Sequence, residues 1–245
     1  MNTNNIYDKE HPRYLLPELC RLFYDLGWMT GSGGSLSIKE GDEIYLTPSG
    51  VQKERVQADE LFVTNLKNEH VDGPPKEKNL KRSSCFQLMM PVYRKRDPGA
   101  VFHTHSPAAA FISILFPGNE FRVTHQQMIR GILKDNLGVG NRYDEELVVP
   151  IVQNAHDESE IIPRMEQTLD DYPETSAVIV RRHGIYVWGP TWQKTKLMCE
   201  AFDYLFKTAI QMKQFGLDPA KVPDGESSFH KTVEKDKEKE KKIKY

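Results

Sequence analysis

Gly99-Ala100-Val101-Phe102-His103-Thr104-His105-Ser106-Pro107 is the stretch that decides how this chain is read. A small and apolar run leads into two histidines at i and i+2. Side chains alternate faces along a β-strand, so both imidazoles point to the same side. A divalent metal takes neutral imidazole nitrogens converging at about 2.0–2.1 Å, and a strand end supplies two of them without bending the backbone. Ser106-Pro107 then reads as an N-cap followed by proline at the first helical position, opening an apolar helix through Ala108 to Ile112. The pair is therefore placed at a strand-to-helix corner, where α/β folds concentrate their chemistry. Solvated or capping histidines are the ordinary alternative to a metal pair.

Outward from this stretch, helices and strands alternate. Leucines and phenylalanines at helical spacing predict a helix over Pro12–Leu26, closed by Gly27. Leu36–Lys39 and Glu43–Leu46 read as strands joined by a Gly41-Asp42 turn, with a further short strand within Asp59–Thr64 and a loop over Asn65–Leu80. A helix over Ser84–Lys95 precedes the histidine strand. Leu147–Val152 reads as β, Glu158–Asp171 as helix with Pro163 in its first turn, and Ala177–Val180 as a buried strand. After Gly184 a strand resumes through Ile185–Trp188, and the longest helix runs from Thr191 to about Phe215. The pattern predicts one α/β domain with an antiparallel-containing sheet. Residues 1–9 read as a flexible N-terminus. Residues 223–245, ending in the mixed-charge run from Lys235, read as a solvated, disordered tail.

Composition narrows the function classes. Of 245 residues 38% are apolar, enough for a sizeable core, and the formal net charge of −2 gives no broad surface for nucleic acid. No apolar run approaches the roughly 20 residues of a membrane span, and the N-terminus lacks the pattern of a signal peptide. Three scattered cysteines (Cys20, Cys85 and Cys199) argue for a reducing compartment, hence a cytoplasmic protein.

Two further constellations bear on chemistry. His183 directly follows a buried strand, and Gly184 beside it permits a tight turn, making it the best third ligand for His103 and His105; a turn histidine capping a strand end is the alternative. Three histidines with an open position describe a catalytic rather than a structural zinc site. Gly31 to Ser37, the Thr47-Pro48-Ser49-Gly50 turn and Ser83-Ser84 offer hydroxyls and unobstructed N–H groups suited to a phosphate. Gly31-Ser32-Gly33-Gly34 matches neither a dinucleotide fingerprint nor a P-loop, and a flexible turn is its plain alternative.

Taken together, these motifs resemble the class II aldolase/adducin family. The resemblance spans about residues 10 to 222. It rests on His11-Pro12-Arg13-Tyr14-Leu15, the glycine-rich run from Gly27 to Gly34, and Thr47 to Glu54. His103 to Ser106, Arg142-Tyr143-Asp144 and Val180 to Gly189 complete it. It implies a central antiparallel sheet flanked by helices, assembled as a cyclic homotetramer with active sites at subunit interfaces. One zinc per subunit would be held by His103, His105 and His183. Cys85 falls on the family's substrate-contacting cysteine, and Gly34, Ser35, Ser49, Gly50 and Ser83 would hold a substrate phosphate.

Within the family the match is to the dehydratase branch of methionine salvage. It implies removal of water from the sugar phosphate 5-methylthioribulose 1-phosphate. A class II aldolase or epimerase acting on another sugar phosphate, and a catalytically silent protein with a partner in cell-death regulation, are the alternatives. In the family a glutamate within Thr-His-Gln-Glu-Met moves the protons; here that position is Gln127. A carboxamide has nearly a carboxylate's shape but exchanges no proton near neutrality. Losing a general acid/base costs about 10²–10⁴ in rate. Turnover here then requires another group, such as His125 or water, or is weakened or lost. Ser35 replaces a family glycine, so its hydroxyl either serves the phosphate or crowds it.

Overall fold

The computed structural model describes residues 9–135 and 137–226. Residues 1–8 and the charged run from Lys235 onward, both given a flexible reading above, lie outside the described residues. Helix α1 covers Pro12–Asp25, and strands β1 Ser35–Glu40 and β2 Glu43–Leu46 follow. The two-residue β3, Pro48–Ser49, precedes β4 Phe62–Asn65 and β5 His70–Asp72, and β6 is Lys81–Arg82. Helix α2 Phe86–Arg96 leads to β7 Ala100–Thr104, α3 Pro107–Leu115 and β8 Glu120–Val123. After the short β9 Leu133–Lys134 and β10 Val139–Gly140 come β11 Leu147–Val152 and α4 Ile162–Asp171. Strands β12 Ala177–Val180 and β13 Gly184–Gly189 and helix α5 Trp192–Gln214 complete the order.

The predicted boundaries hold within a few residues for all five helices because caps and breakers coincide with them. The Ser106 hydroxyl accepts from the Ala109 N–H and donates to Asp203 Oδ1 at 2.6 Å, tying α3 to α5. Thr191 caps α5 through Lys194 N–H. Three readings change. The Asn65–Leu80 stretch, predicted as loop, contains β5, whose exposed residues add an edge strand through backbone pairing and so leave no apolar signature. The strand predicted within Asp59–Thr64 begins only at Phe62, after a 3₁₀ turn over Ala58–Glu60. The helix predicted from Glu158 starts as a 3₁₀ turn over Glu158–Ile161, and Pro163 lies at the beginning of α4.

Nine strands form one sheet in the order β5-β4-β2-β1-β7-β13-β12-β11-β8, and every pair is antiparallel except β11 with β12. Period-two alternation divides the core between the two faces. Ala100, Phe102, Ile179 and Val187 pack with α1, α3 and α5, whereas Val101, Val180, Tyr186 and Trp188 pack with α2 and α4. His103 shares the parity of Val101, so it belongs to the α2/α4 face. Strand direction fixes the rest. β7 and β12 both run antiparallel to β13, and β11 runs parallel to β12. The C-terminal ends of β7, β11 and β12 therefore emerge at the same edge of the sheet.

Candidate metal centre

That shared edge gathers the histidines. His103 is fully buried near the end of β7, His105 follows one residue past the strand, and His183 sits in the turn between β12 and β13. His105 Nε2 lies 3.0 Å from His103 Nε2 and 2.9 Å from His183 Nε2. The Nδ1–H of His103 donates to the Ile185 carbonyl at 3.1 Å, and its ring stacks on Tyr186 at 4.0 Å and 7°. His183 Nδ1 faces Asn154 Oδ1 at 3.4 Å. With those Nδ1 atoms protonated, two bare Nε2 lone pairs flank the third nitrogen, and one proton on His105 can satisfy only one contact. A cation among the three resolves the conflict, which is the usual role of outer hydrogen bonds in orienting ligating histidines.

Charge favours the same outcome. Burial, with the neighbouring rings adding, holds His103 well below the ordinary histidine value; burial brings His105 down to about 4 and also lowers His183. All three rings are therefore neutral near pH 7, the form that binds a metal. The sign of the pH effect follows. In the unfolded chain such rings bind protons near 6.5, but His105 in the folded chain does so only near 4. The unfolded state binds more protons in that window, so stability rises with pH across it. Metal-free protein is expected to have a lower denaturant midpoint at pH 5 than at pH 7. A His105→Asn variant should show a smaller difference; an equal one would contradict this account.

Backbone geometry explains how the turn is held. The left-handed residue is Arg182, with φ of +56°, and its N–H donates to Ser113 Oγ at 2.8 Å. Arg181 donates to the carbonyls of Phe116, Pro117 and Gly118 at the end of α3. Gly184 serves a purpose other than the tight turn expected of it: a Cβ there would lie 2.1 Å from the Thr104 carbonyl oxygen, so glycine permits β13 to approach β7. Gly33 does the same for the glycine-rich loop, since a Cβ would lie 2.5 Å from His105 Nδ1.

The glycine-rich loop thus abuts the histidines. Behind it lies Lys53, which the sequence reading missed: its side chain is fully buried, and Nζ donates to the Ser32 carbonyl at 2.9 Å. Nothing in its local pattern distinguished it from a surface lysine. Ser35 is buried, with its hydroxyl 3.2 Å from Thr47 Oγ1, so that hydroxyl is engaged inside the fold. Pairing of β3 with β6 sets Ser49 opposite Lys81, bringing the turn at Gly50 towards the segment of Ser83. Ser83 is buried, and Ser84 joins His105, His183, Asn154 and Glu158 in lining a cavity of about 640 Å³. Cys85 is half-buried at the start of α2, and its thiol donates to Glu158 Oε1 at 3.2 Å. Burial pushes that thiol up to about 12, with Glu158 adding to the shift.

Gln127 is placed elsewhere. It is exposed at the start of a 3₁₀ turn over Gln127–Gly131, just after β8 at the sheet's outer edge, and the cavity beside His183 does not include it. His125 lies with it, its ring against Tyr143 and its Nδ1 2.9 Å from Thr124 Oγ1.

Residues 15–210 match the model of the Class II Aldolase and Adducin N-terminal domain. The chain belongs to the class II aldolase and adducin family. It is 56% identical over 222 residues to methylthioribulose-1-phosphate dehydratase of Bos taurus, covering 91% of this chain and 92% of the relative. The Homo sapiens protein of that name is 54% identical over the same proportions. Among solved structures, an L-fuculose 1-phosphate aldolase aligns with a TM-score of 0.69 at 18% identity, covering 89% of this chain and 92% of its own. A sugar-phosphate aldolase from Thermotoga maritima aligns at 0.59 and 13% identity, covering 85% and 97%. These structures share the fold. The expected class II aldolase-like α/β architecture is therefore borne out. Among the described residues no helix is long and apolar enough to cross a membrane.

Proposed function

We propose that this chain is a zinc-dependent dehydratase that removes water from 5-methylthioribulose 1-phosphate, giving 5-methylthio-2,3-dioxopentyl phosphate in methionine salvage, in the cytoplasm. The observation that carries the reading is the convergence of three neutral Nε2 atoms, in a chain more than half identical to proteins bearing that dehydratase name. Zinc held by His103, His105 and His183 supplies a Lewis acid for the substrate oxygens and for the charge left when the C3 proton departs.

The chain's own residues supply the rest. Gly34 and Gly50, with Ser49, Ser83 and the backbone of Ser35, cradle the phosphate, and the buried Lys53 charge behind the loop favours a dianion. The Cys85 thiol stays protonated and contacts substrate through its sulfur while it donates to Glu158. Four copies assemble as a ring with sites at their interfaces. Gln127 and Tyr143, both exposed near the β8 edge, then face a neighbouring copy rather than their own cavity. There the Gln127 amide orients substrate without exchanging protons.

The reading is tested by incubating the zinc-loaded full chain with 5-methylthioribulose 1-phosphate and following diketone formation. Diketone that disappears on chelation and returns with zinc is the expected result. Cleavage or epimerisation of the sugar phosphate would replace this reading with another activity of the family.

A further inference from the structure

The parallel crossover from β11 to β12 brings a carboxylate to the histidines that the sequence reading had placed only at the start of a helix. Glu158 opens the 3₁₀ turn that follows the C-terminal end of β11. Its acidic neighbours are occupied by the backbone. Asp157 Oδ1 accepts from the Ser159 N–H at 2.8 Å, and Glu160 Oε1 accepts from the Asp157 N–H at 3.4 Å. This reciprocal capping fixes the turn and leaves the Glu158 side chain for the cavity. Its Oε1 accepts from the Cys85 thiol, while Oε2 is buried with no hydrogen-bond partner among the described residues. Ligand atoms of Glu158, Cys85 and His103 lie within 4.8 Å of one another. A buried carboxylate oxygen without a donor is costly unless a partner arrives from outside, here into a cavity that His105 and His183 also line.

We propose that Glu158 is the acid/base residue of this chain, doing the proton work that Gln127 cannot. The proposal rests on the dehydratase reading above. The Glu158 carboxylate takes the C3 proton, and the C3–H electron pair becomes the C2–C3 double bond of an enediolate. The resulting carboxylic acid returns that proton to the C4 hydroxyl. The C2 oxyanion re-forms the C2 carbonyl, the C2–C3 electron pair shifts to C3–C4, and the C4–O bond breaks with its own pair as water leaves. The enol then moves its O–H proton to C4, giving the 2,3-diketone. Protons and electrons balance with no co-reactant.

The test compares the wild-type chain, Glu158→Gln and Gln127→Glu, each zinc-loaded, with 5-methylthioribulose 1-phosphate in deuterated water. Diketone formation and loss of the C3 hydrogen are followed by NMR, with metal content measured beside them. Glu158→Gln is expected to slow both processes by about 10²–10⁴ while keeping the metal content of the wild type. In metal-free protein, Cys85 of this variant should alkylate faster with iodoacetamide, since the carboxylate that opposes its thiolate is gone; Cys20 and Cys199 are buried. Wild-type turnover in Glu158→Gln would overturn the proposal. So would a rise of 10² or more in Gln127→Glu, which places the proton work at position 127, or loss of metal from Glu158→Gln, which makes Glu158 a ligand. If neither the wild type nor Gln127→Glu forms diketone, the dehydratase reading itself falls, and the role of Glu158 with it.

Discussion

Replacing His183 with Ala is expected to strip the metal from this protein and leave its fold intact. The ring is half-buried in a turn, so its removal opens no cavity in the core. The turn keeps its own supports, the Arg181 contacts to the end of α3 and the Arg182 N–H on Ser113. What is lost is one of three nitrogens within 3.0 Å of its nearest neighbour in the cluster. Removing groups that merely orient a ligand costs about 10–100-fold in metal affinity, and deleting the ligand itself should exceed that range. Competition with a chelator measures the affinity, and thermal melting of metal-free protein checks the fold. Retention of wild-type affinity would show that His183 is no ligand. His103→Ala is the informative contrast. It removes a fully buried ring stacked on Tyr186, so it should also destabilise the metal-free fold, by about 2–4 kcal/mol.

Gly184→Ala should produce the second large effect, on stability rather than on affinity alone. The added Cβ meets the Thr104 carbonyl oxygen at 2.1 Å and His105 Cα at 3.2 Å, both backbone atoms in a paired strand and its immediate continuation. Neither can rotate away, so β13 must separate from β7. Overpacking of this kind costs about 3 kcal/mol, which in a domain of this length lowers the melting temperature by roughly 6–12 °C. Because His105 moves with that backbone, metal affinity should fall as well. Gly118→Ala serves as the control: no atom lies within 4 Å of its Cβ, and its φ is not left-handed, so its melting temperature should stay near the wild type. Equal melting for the two variants would mean that the β7–β13 approach is looser than described.

The contrast between what the sequence disclosed and what it hid has a physical basis. His103 and His105 were legible because period-two geometry needs only local spacing, and His183 because a His-Gly pair just after a buried strand is a local signal. Gly184 was noticed for the wrong reason. Its close approach to Thr104 depends on a partner 80 positions away, as the register of β13 against β7 shows. Glu158 and Lys53 were missed for a related cause. Each resembles a surface charge in its own segment, and only the crossover to β12 or the packing of the glycine-rich loop brings it to the histidines. Edge strand β5 was missed because it is exposed throughout. Gln127, at the position of the family's proton-moving glutamate, lies beyond β8, at the opposite side of β11 and β12 from the histidine strand.

The position of β7 and β13 at the middle of the nine-strand sheet sets an order of events for metal release. Amides of central strands exchange with solvent only when the whole domain opens, whereas turns open with far less free energy. His103 is therefore bound to the slowest motion of the molecule and His183 to one of its faster ones. Departure of an ion held there is expected to begin with the turn letting go while its other holders stay fixed. The rate at which a chelator empties the protein thus reports the breathing of three residues, Arg181 to His183, and is nearly blind to the lifetime of the fold.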